Sequence, residues 1–312
     1  MTNPYSSSKV VIVGAGLMGV GIAQVFAQKM ISVVICDPIA AARDTVLDRI
    51  KSNLEMQGLD DTCLEYVQVK EDFTQEVSDA DYVIEAAPER LELKQGIFAD
   101  LVKHAAPTCI LASNTSVIPI RDIAEGLDGG GRIIGTHWWN PPYLVPLVEV
   151  IQSDSSSLDC IQNMIELLLY VGKKPIHVKK DVAGFVANRM QHALWREAIA
   201  LIDEGVCDPE TIDVAVKNSF GLRLPVLGPI ENADLVGLDL TQDIHNVILA
   251  ELNADKLPAK VLNDKVAEGV LGMKTGAGFR TWTNEQADAV RKNLTQYLLY
   301  VAANPFPHSD NQ

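Results

Sequence analysis

The sequence predicts an α/β protein in which a doubly wound, mostly parallel sheet is followed by a smaller all-helical domain. Three observations lead to this fold class. A strand, a glycine-rich turn and a helix open the chain, and strand-like and helix-like stretches alternate up to about residue 180. The pattern beyond residue 183 is mostly helical. We therefore expect two domains, over residues 1–183 and 184–312.

The first elements predict a dinucleotide-binding turn of the Rossmann type. An apolar run leads into Gly14, Gly16 and Gly19, and a second apolar run ends at Asp37, 18 residues after Gly19. Gly14 permits a tight turn, Gly16 lets the backbone approach a pyrophosphate, and Gly19 lets helix and strand pack closely. Asp37 accepts hydrogen bonds from a ribose and repels the 2′-phosphate of NADP, so the expected cofactor is NAD. The alternative is an ordinary glycine turn beside a surface aspartate.

The later elements of the first domain follow from the same alternation. Strands are predicted over 81–87, 109–112, 132–136, 144–151 and 174–178, and helices over 90–104 and 158–171. Ligand sites in such sheets gather at the carboxyl ends of strands, where Gly14, Pro88, Ser113 and His137 all fall. One long helix over 184–205 opens the second domain.

Composition and charge narrow the class of protein. The 312 residues are 47% hydrophobic and 21% charged, as in soluble globular proteins, and the apolar runs are too short to span a bilayer. The net charge of −15 disfavours nucleic acid and anionic membranes as partners. No secretory signal is visible, and five widely spaced cysteines without a CxxC pair indicate free thiols and no metal site. These features predict a cytoplasmic enzyme with a small-molecule substrate.

His137 and Glu149 are the leading candidates for chemistry. His137 follows a predicted strand end, and Glu149 lies 12 residues later within an apolar strand. A carboxylate in such a strand is unfavourable unless it is paired, and an imidazole is its natural partner. A paired imidazole is held in one tautomer and suits proton abstraction from an alcohol. The alternative places Glu149 in solvent at a sheet edge and makes His137 a capping residue.

An ordered series of motifs resembles the NAD-dependent L-3-hydroxyacyl-CoA dehydrogenase family over residues 9–282. The matching stretches are GAGLMGVGIA at 14–23, EAAPERLELK at 85–94, SNTS at 113–116, THWWNP at 136–141, PLVEV at 146–150, KDVAGFVANR at 180–189, GPIENADLVGLD at 228–239 and KTGAGF at 274–279. The resemblance implies a Rossmann-type domain, a helical domain that closes over substrate, and a homodimer formed through the latter.

The resemblance also implies roles for individual residues. His137 matches the catalytic base and Glu149 the carboxylate that orients it. Ser116 and Asn188 match the residues that hold the substrate oxygen and carbonyl, although either also fits an ordinary turn or helix surface. The implied cofactor-binding residues are Gly14, Gly16, Leu17, Met18, Gly19, Asp37, Glu89, Lys94 and Asn140.

Two departures from the family pattern bear on the substrate. Trp138 and Trp139 replace the usual pair of phenylalanines, and the segment 221–229 is longer than in coenzyme A enzymes and carries Arg223. The segment looks more like the branch that acts on free acids such as carnitine, gulonate or pyridine carboxylates. Arg223 suits bidentate binding of a free carboxylate, and a surface ion pair is its alternative role. The expected substrate is therefore a 3-hydroxy acid or a 3-hydroxyacyl-CoA. An alternative function, outside the enzymes, is a crystallin-like structural or NAD-binding protein without turnover.

Overall fold

The fold is described from a computed structural model, which covers residues 3–129 and 131–304. The chain divides into two compact units, Met1–Arg189 and Met190–Gln312. The first unit is α/β and the second is helical, which confirms the predicted fold class.

The first unit contains one eight-stranded sheet with the order β3-β2-β1-β4-β5-β6-β7-β8. Neighbouring strands are parallel except for β6 and β7, which pair antiparallel. The strands are β1 Lys9–Val13, β2 Ser32–Cys36, β3 Val67–Lys70, β4 Tyr82–Glu85, β5 Ile110–Ser113, β6 Ile133–Trp138, β7 Leu147–Ile151 and β8 Lys174–Val178.

Helices cover both faces of this sheet. Alternate residues of β1 show the two layers, since Val10 and Ile12 belong to one buried cluster and Val11 and Val13 to the other. The helices of this unit are α1 Leu17–Ala27, α2 Ala40–Arg43, α3 Val46–Met56, α4 Leu91–His104, α5 Ile120–Ile123 and α6 Leu158–Tyr170, with a 3₁₀ turn at Thr62–Tyr66. Helix α7, Ala187–Asp203, begins in this unit and continues into the second.

The second unit continues from α7 through six further helices. They are α8 Pro209–Lys217, α9 Phe220–Arg223, α10 Pro229–Val236, α11 Leu238–Ile248, α12 Lys260–Ala267 and α13 Asn284–Ala303. Local capping explains several of the starts. Asp208 accepts a hydrogen bond from the Thr211 amide, and Thr283 and Gln286 form a capping box at α13. Over residues 3–129 and 131–304, no helix is both long and apolar enough to cross a membrane.

Several element boundaries differ from the sequence expectation, among them the strand predicted over 144–151, which begins at Leu147, and three of the differences have local reasons. The strand predicted over 81–87 ends at Glu85, because its carboxylate accepts the Ala87 amide at 2.7 Å and turns the chain. The strand predicted to stop at residue 136 continues to Trp138, because β6 pairs with β7 as far as that residue. The helix predicted from residue 184 begins at Ala187, since the residues before it adopt left-handed backbone. Strand β3 and helix α3 were not foreseen.

Candidate active site

The centre of the site is a buried pair formed by His137 and Glu149. The antiparallel register places His137 of β6 directly opposite Glu149 of β7. Such opposite residues lie on the same face of a sheet, so their side chains meet. Nδ1 of His137 lies 2.7 Å from Oε2 of Glu149. Glu149 is fully buried and His137 is 4% exposed, so the carboxylate does not face solvent at a sheet edge.

Glu149 is held by three hydrogen-bond donors. His137 binds Oε2, while the backbone amides of Val186 and Ala187, at the start of α7, donate to Oε1 at 2.9 and 3.1 Å. Burial raises the pKa of Glu149. The hydrogen bonds from His137 and from the two amides outweigh this effect, so its pKa lies below the ordinary value. Glu149 is therefore an ionised carboxylate at neutral pH.

The other ring nitrogen of His137 is left for chemistry. A carboxylate at Nδ1 favours the tautomer that carries its proton on Nδ1, and this tautomer leaves Nε2 as a lone-pair acceptor. The hydrogen bonds within the described residues include none to Nε2. The rings of Trp139 and Phe185 pack against the imidazole, with centroids 5.4 and 5.6 Å away. This arrangement can remove a proton from a hydroxyl group placed at Nε2.

Ser116 and Asn188 lie together at the end of β5. Nδ2 of Asn188 donates to the backbone carbonyl of Ser116 at 3.1 Å. Glu89 holds the turn formed by residues 114–117, here called the Ser116 turn. Its Oε1 accepts the Ser116 and Val117 amides at 2.9 and 3.1 Å and the Thr115 hydroxyl at 2.6 Å. The Ser116 side chain is exposed.

A buried ionic cluster lies beneath this turn. Nζ of Lys94 is 2.7 Å from Glu85 and 3.4 Å from Glu89, and the Ser113 hydroxyl donates to Glu85 at 2.6 Å. Lys94, named as a cofactor contact by resemblance, is itself fully buried. The sequence analysis missed Glu85, although a carboxylate at the end of an apolar strand is the same signal that identified Glu149. The cluster ties the ends of β4 and β5 together.

The glycine turn leaves the N-terminus of α1 open. Gly14 has a left-handed φ of 112°, and a Cβ there would lie 2.7 Å from the Ala86 carbonyl oxygen. A Cβ on Gly19 would lie 1.8 Å from the Gly14 oxygen, whereas one on Gly16 would meet nothing within 4 Å. No side chain caps α1 at Gly16. The free amides of its first turn, which includes Leu17 and Met18, fit an anionic pyrophosphate.

Asp37 lies beside this turn, directly after β2. Its Oδ2 accepts the Ala15 amide at 2.8 Å and its Oδ1 accepts the Ile39 amide at 2.9 Å. Both oxygens retain lone pairs for ribose hydroxyls. Arg49 of α3, which sequence analysis did not single out, donates to the Ala15 carbonyl at 2.8 Å. No carboxylate of the described residues lies within ion-pair distance of Arg49, so it adds positive charge beside the glycine turn.

Asn140 begins the loop that joins β6 to β7. It is exposed, and it lines a cavity of about 130 Å³ together with Arg49, Leu17 and Pro141. Hydrogen bonds from the side chain of Lys173 fix the backbone of this loop. The buried Lys173 ammonium donates to the carbonyls of Pro142 and Val145 and lies 5.6 Å from the Trp138 ring centroid.

Arg223 belongs to the second unit and ends α9. Its side chain is exposed and lines a cavity of about 190 Å³ with Phe220, Leu224 and Asn232. No carboxylate of the described residues lies within ion-pair distance, so Arg223 does not form the surface ion pair that was its alternative role. In the same residue ranges, no group of three His, Cys, Asp or Glu side chains is arranged to hold a metal ion.

Two family models match the chain along most of its length. Residues 9–182 match the NAD binding domain of 3-hydroxyacyl-CoA dehydrogenase, and residues 184–282 match its C-terminal domain. The chain belongs to the 3-hydroxyacyl-CoA dehydrogenase family. This confirms the resemblance described above. It also identifies the protein as an NAD-dependent oxidoreductase that acts on CH–OH groups.

Individual members of this 3-hydroxyacyl-CoA dehydrogenase family differ in substrate. The chain is 33% identical to 5-formyl-3-hydroxy-2-methylpyridine 4-carboxylate 5-dehydrogenase of Mesorhizobium japonicum, over 94% of this chain and 96% of that protein. It is 37% identical to a probable 3-hydroxybutyryl-CoA dehydrogenase of Deinococcus radiodurans, over 86% and 98%. A crystal structure of 5-formyl-3-hydroxy-2-methylpyridine 4-carboxylic acid 5-dehydrogenase, an NAD⁺-dependent dismutase, superimposes with a TM-score of 0.86 at 32% identity, over 94% and 96% of the two chains.

Lys173 gives the first testable prediction. Burial lowers the pKa of Lys173 from 10.5 to about 8. Below pH 8 the amine is charged in both the folded and the unfolded chain, and its burial reduces stability. Between pH 8 and 10.5 the folded protein loses this proton first, so stability gains from rising pH. We expect the free energy of unfolding of the wild type, minus that of Lys173→Met, to rise by up to about 3 kcal/mol over this range.

Urea unfolding at pH 7 and pH 10 measures this difference. Lys173→Arg is the matched control, because arginine stays charged throughout and its difference from Lys173→Met should not change with pH. Parallel pH profiles of the wild type and both variants would contradict this account of the buried amine.

Proposed function

We propose that this protein oxidises the hydroxyl group of a 3-hydroxy acid to the 3-oxo product, with His137 as general base and Glu149 as the carboxylate that orients it. The observation that carries the proposal is the buried hydrogen bond of 2.7 Å between Nδ1 of His137 and Glu149, which leaves Nε2 available. Its closest alternative within the family is the same reaction on a 3-hydroxyacyl-CoA ester.

The proton transfer follows from the charges in the site. Nε2 of His137 removes the substrate hydroxyl proton, and the ionised Glu149 stabilises the imidazolium that forms. When bound, NAD accepts a hydride from the carbon that bears this hydroxyl. Ser116 and Asn188 orient the substrate oxygen and its carbonyl, and the Asn188 side chain donates a hydrogen bond to the Ser116 backbone carbonyl.

The cofactor-binding roles rest on the open helix end and the carboxylate beside it. The amides at Gly16, Leu17 and Met18 bind the pyrophosphate, with Gly14 and Gly19 giving the turn its close packing, and Asp37 binds the adenosine ribose. Asn140 contacts the cofactor from the loop after β6. Glu89 and Lys94 are further cofactor contacts in this proposal. They also fix the Ser116 turn, because Glu89 accepts its backbone amides and the buried Lys94 pairs with Glu89.

A small free carboxylic acid is the substrate class that we favour. Arg223 has no carboxylate partner in the part of the chain described, which leaves its guanidinium for a carboxylate of the substrate. The pyridine-carboxylate dehydrogenase of Mesorhizobium japonicum aligns over 94% of this chain, and the pyridine-carboxylic acid dehydrogenase structure superimposes over the same share. The net charge of −15 also supplies little positive surface for the phosphates of coenzyme A.

A second copy of this chain is the partner that we assign to the helical unit. Several large apolar side chains of α10 and α11 are more than half exposed, among them Ile230, Leu235, Leu238 and Val247. A surface of this kind is typical of a protein–protein interface. The five cysteines are all free, which fits the cytoplasmic location that we propose.

Replacement of the base tests the mechanism. We expect His137→Ala to lower kcat by about 10²- to 10⁴-fold, because general-base assistance is lost, while NAD binding stays close to the wild-type value. NADH absorbance measures turnover, and titration of intrinsic fluorescence measures NAD affinity. His104→Ala is the control, since His104 is exposed at the end of α4. Normal turnover by His137→Ala would overturn the proposed mechanism.

A substrate panel tests the proposed class. NADH production is measured with 3-hydroxybutyryl-CoA, 3-hydroxybutyrate, carnitine, gulonate and a formyl-substituted pyridine carboxylate. We expect kcat/KM to be highest for one of the free acids and to fall at least tenfold in Arg223→Met, because a bidentate carboxylate contact is lost. A higher kcat/KM for the coenzyme A ester would reverse the assignment of substrate class. Tight NAD binding without turnover on any compound would favour the structural reading.

A further inference from the structure

Phe185 has an unusual backbone conformation next to the catalytic pair. Its φ is +49°, in the left-handed region, and it follows Gly184, whose φ is +74°. A bulky residue with a Cβ is unfavourable there and persists only where its surroundings over-determine it. Such strained residues cluster at functional sites, and both the backbone and the side chain of Phe185 lie beside the pair formed by His137 and Glu149.

The backbone after Phe185 forms part of the Glu149 environment. The next two amides, those of Val186 and Ala187, both donate to Oε1 of Glu149 at 2.9 and 3.1 Å. These amides lie at the start of α7, and the left-handed turn at Gly184 and Phe185 directs the start of the helix at Glu149. The left-handed residue therefore sets the direction of the donors that keep Glu149 ionised.

The side chain of Phe185 contacts the base itself. The ring is fully buried, its centroid lies 5.6 Å from that of the His137 imidazole, and the two planes are inclined by 50°. The hydrogen bond to Glu149 fixes Nδ1 but leaves the imidazole free to tilt about the line joining Nδ1 and Oε2. Ring contacts from Phe185 and from Trp139 oppose that tilt, and so fix the direction of Nε2.

We propose that Phe185 is a positioning residue, whose left-handed backbone aims two amides at Glu149 and whose ring seats the imidazole of His137. This inference rests on the proposed function, because it assigns Phe185 a role through the general base. It differs from a purely structural role, in which Phe185 would only fill the apolar cluster that it shares with Phe98 and Ile120.

Three substitutions at Phe185 separate the ring from the backbone. Phe185→Leu keeps an apolar side chain and removes the aromatic contact, Phe185→Gly accepts the left-handed backbone without a ring, and Phe185→Tyr keeps the ring. Met30→Gly is the matched control, because Met30 also has a left-handed φ, of 57°, and lies 53% exposed in the turn after α1.

Kinetics and NMR are then measured on folded protein, with urea unfolding to define the folded range. With NAD and the most active compound of the five-member panel, we expect Phe185→Leu and Phe185→Gly to lower kcat by about 10- to 100-fold with an unchanged KM for NAD, and Phe185→Tyr to retain most of kcat. In ¹⁵N-histidine spectra, His137 of the wild type shows narrow ring signals, whereas Phe185→Leu shows signals broadened by movement of the ring between orientations. Met30→Gly matches the wild type in kcat and spectrum.

Two outcomes overturn the inference and are distinct from failure of the proposed function. If Phe185→Leu is less stable but keeps the wild-type kcat and narrow His137 ring signals, while His137→Ala is inactive, Phe185 is structural only. If Phe185→Leu loses NAD affinity and kcat together, its role is in cofactor binding and the inference is wrong. Should His137→Ala itself remain active, the proposed function fails before Phe185 is considered.

Discussion

The rest of the structure depends on one buried carboxylate, Glu149, and on the donors that hold it ionised in the interior. An uncompensated carboxylate at this depth would protonate, and it would then lose its influence on His137. The antiparallel pairing of β7 with β6 places the His137 imidazole opposite Glu149. Two backbone amides at the start of α7 donate further hydrogen bonds to this carboxylate. The pairing of β6 with β7 and the start of α7 therefore both supply hydrogen-bond donors to one side chain. The same constraint supports the activity, because the stabilised carboxylate fixes which nitrogen of His137 is free.

A second group of buried charges organises the neighbouring strand ends in the same way. Glu85 and Lys94 form an ion pair beneath the turn after β5, and Glu89 accepts backbone amides of the same turn. These pairings give the buried side chains of Glu85 and Lys94 their hydrogen-bond partners, and no side chain caps the amides at the start of α1. The chain has a net charge of −15, yet this edge of the sheet keeps an open helix end and Arg49, which has no carboxylate partner among the described residues. An anionic cofactor thus meets a locally favourable surface on an acidic protein.

The sequence predicted most of the elements that bear the site, because their signals are local. The glycine spacing, the acid at the end of β2 and the apolar strands each involve a few adjacent residues, and the fold class is confirmed. The features that escaped prediction depend on contacts between distant segments. The left-handed conformation of Phe185 has no local signature, and the buried ammonium of Lys173 depends on carbonyls about thirty residues earlier in the chain. Glu85 was recoverable, since it too is a carboxylate in an apolar strand. The catalytic and binding roles of the individual residues remain predictions.

The most direct test of the central claim is a single-turnover measurement of NADH formation by Glu149→Gln with NAD already bound. A glutamine amide can keep the size of the side chain, but it donates to Nδ1 and so leaves the proton on Nε2, the nitrogen that must accept one. The account predicts an NADH formation rate lower by about 10²- to 10⁴-fold, with NAD affinity unchanged. An unaltered rate in this variant would contradict the account, because the buried carboxylate would then have no part in setting the base.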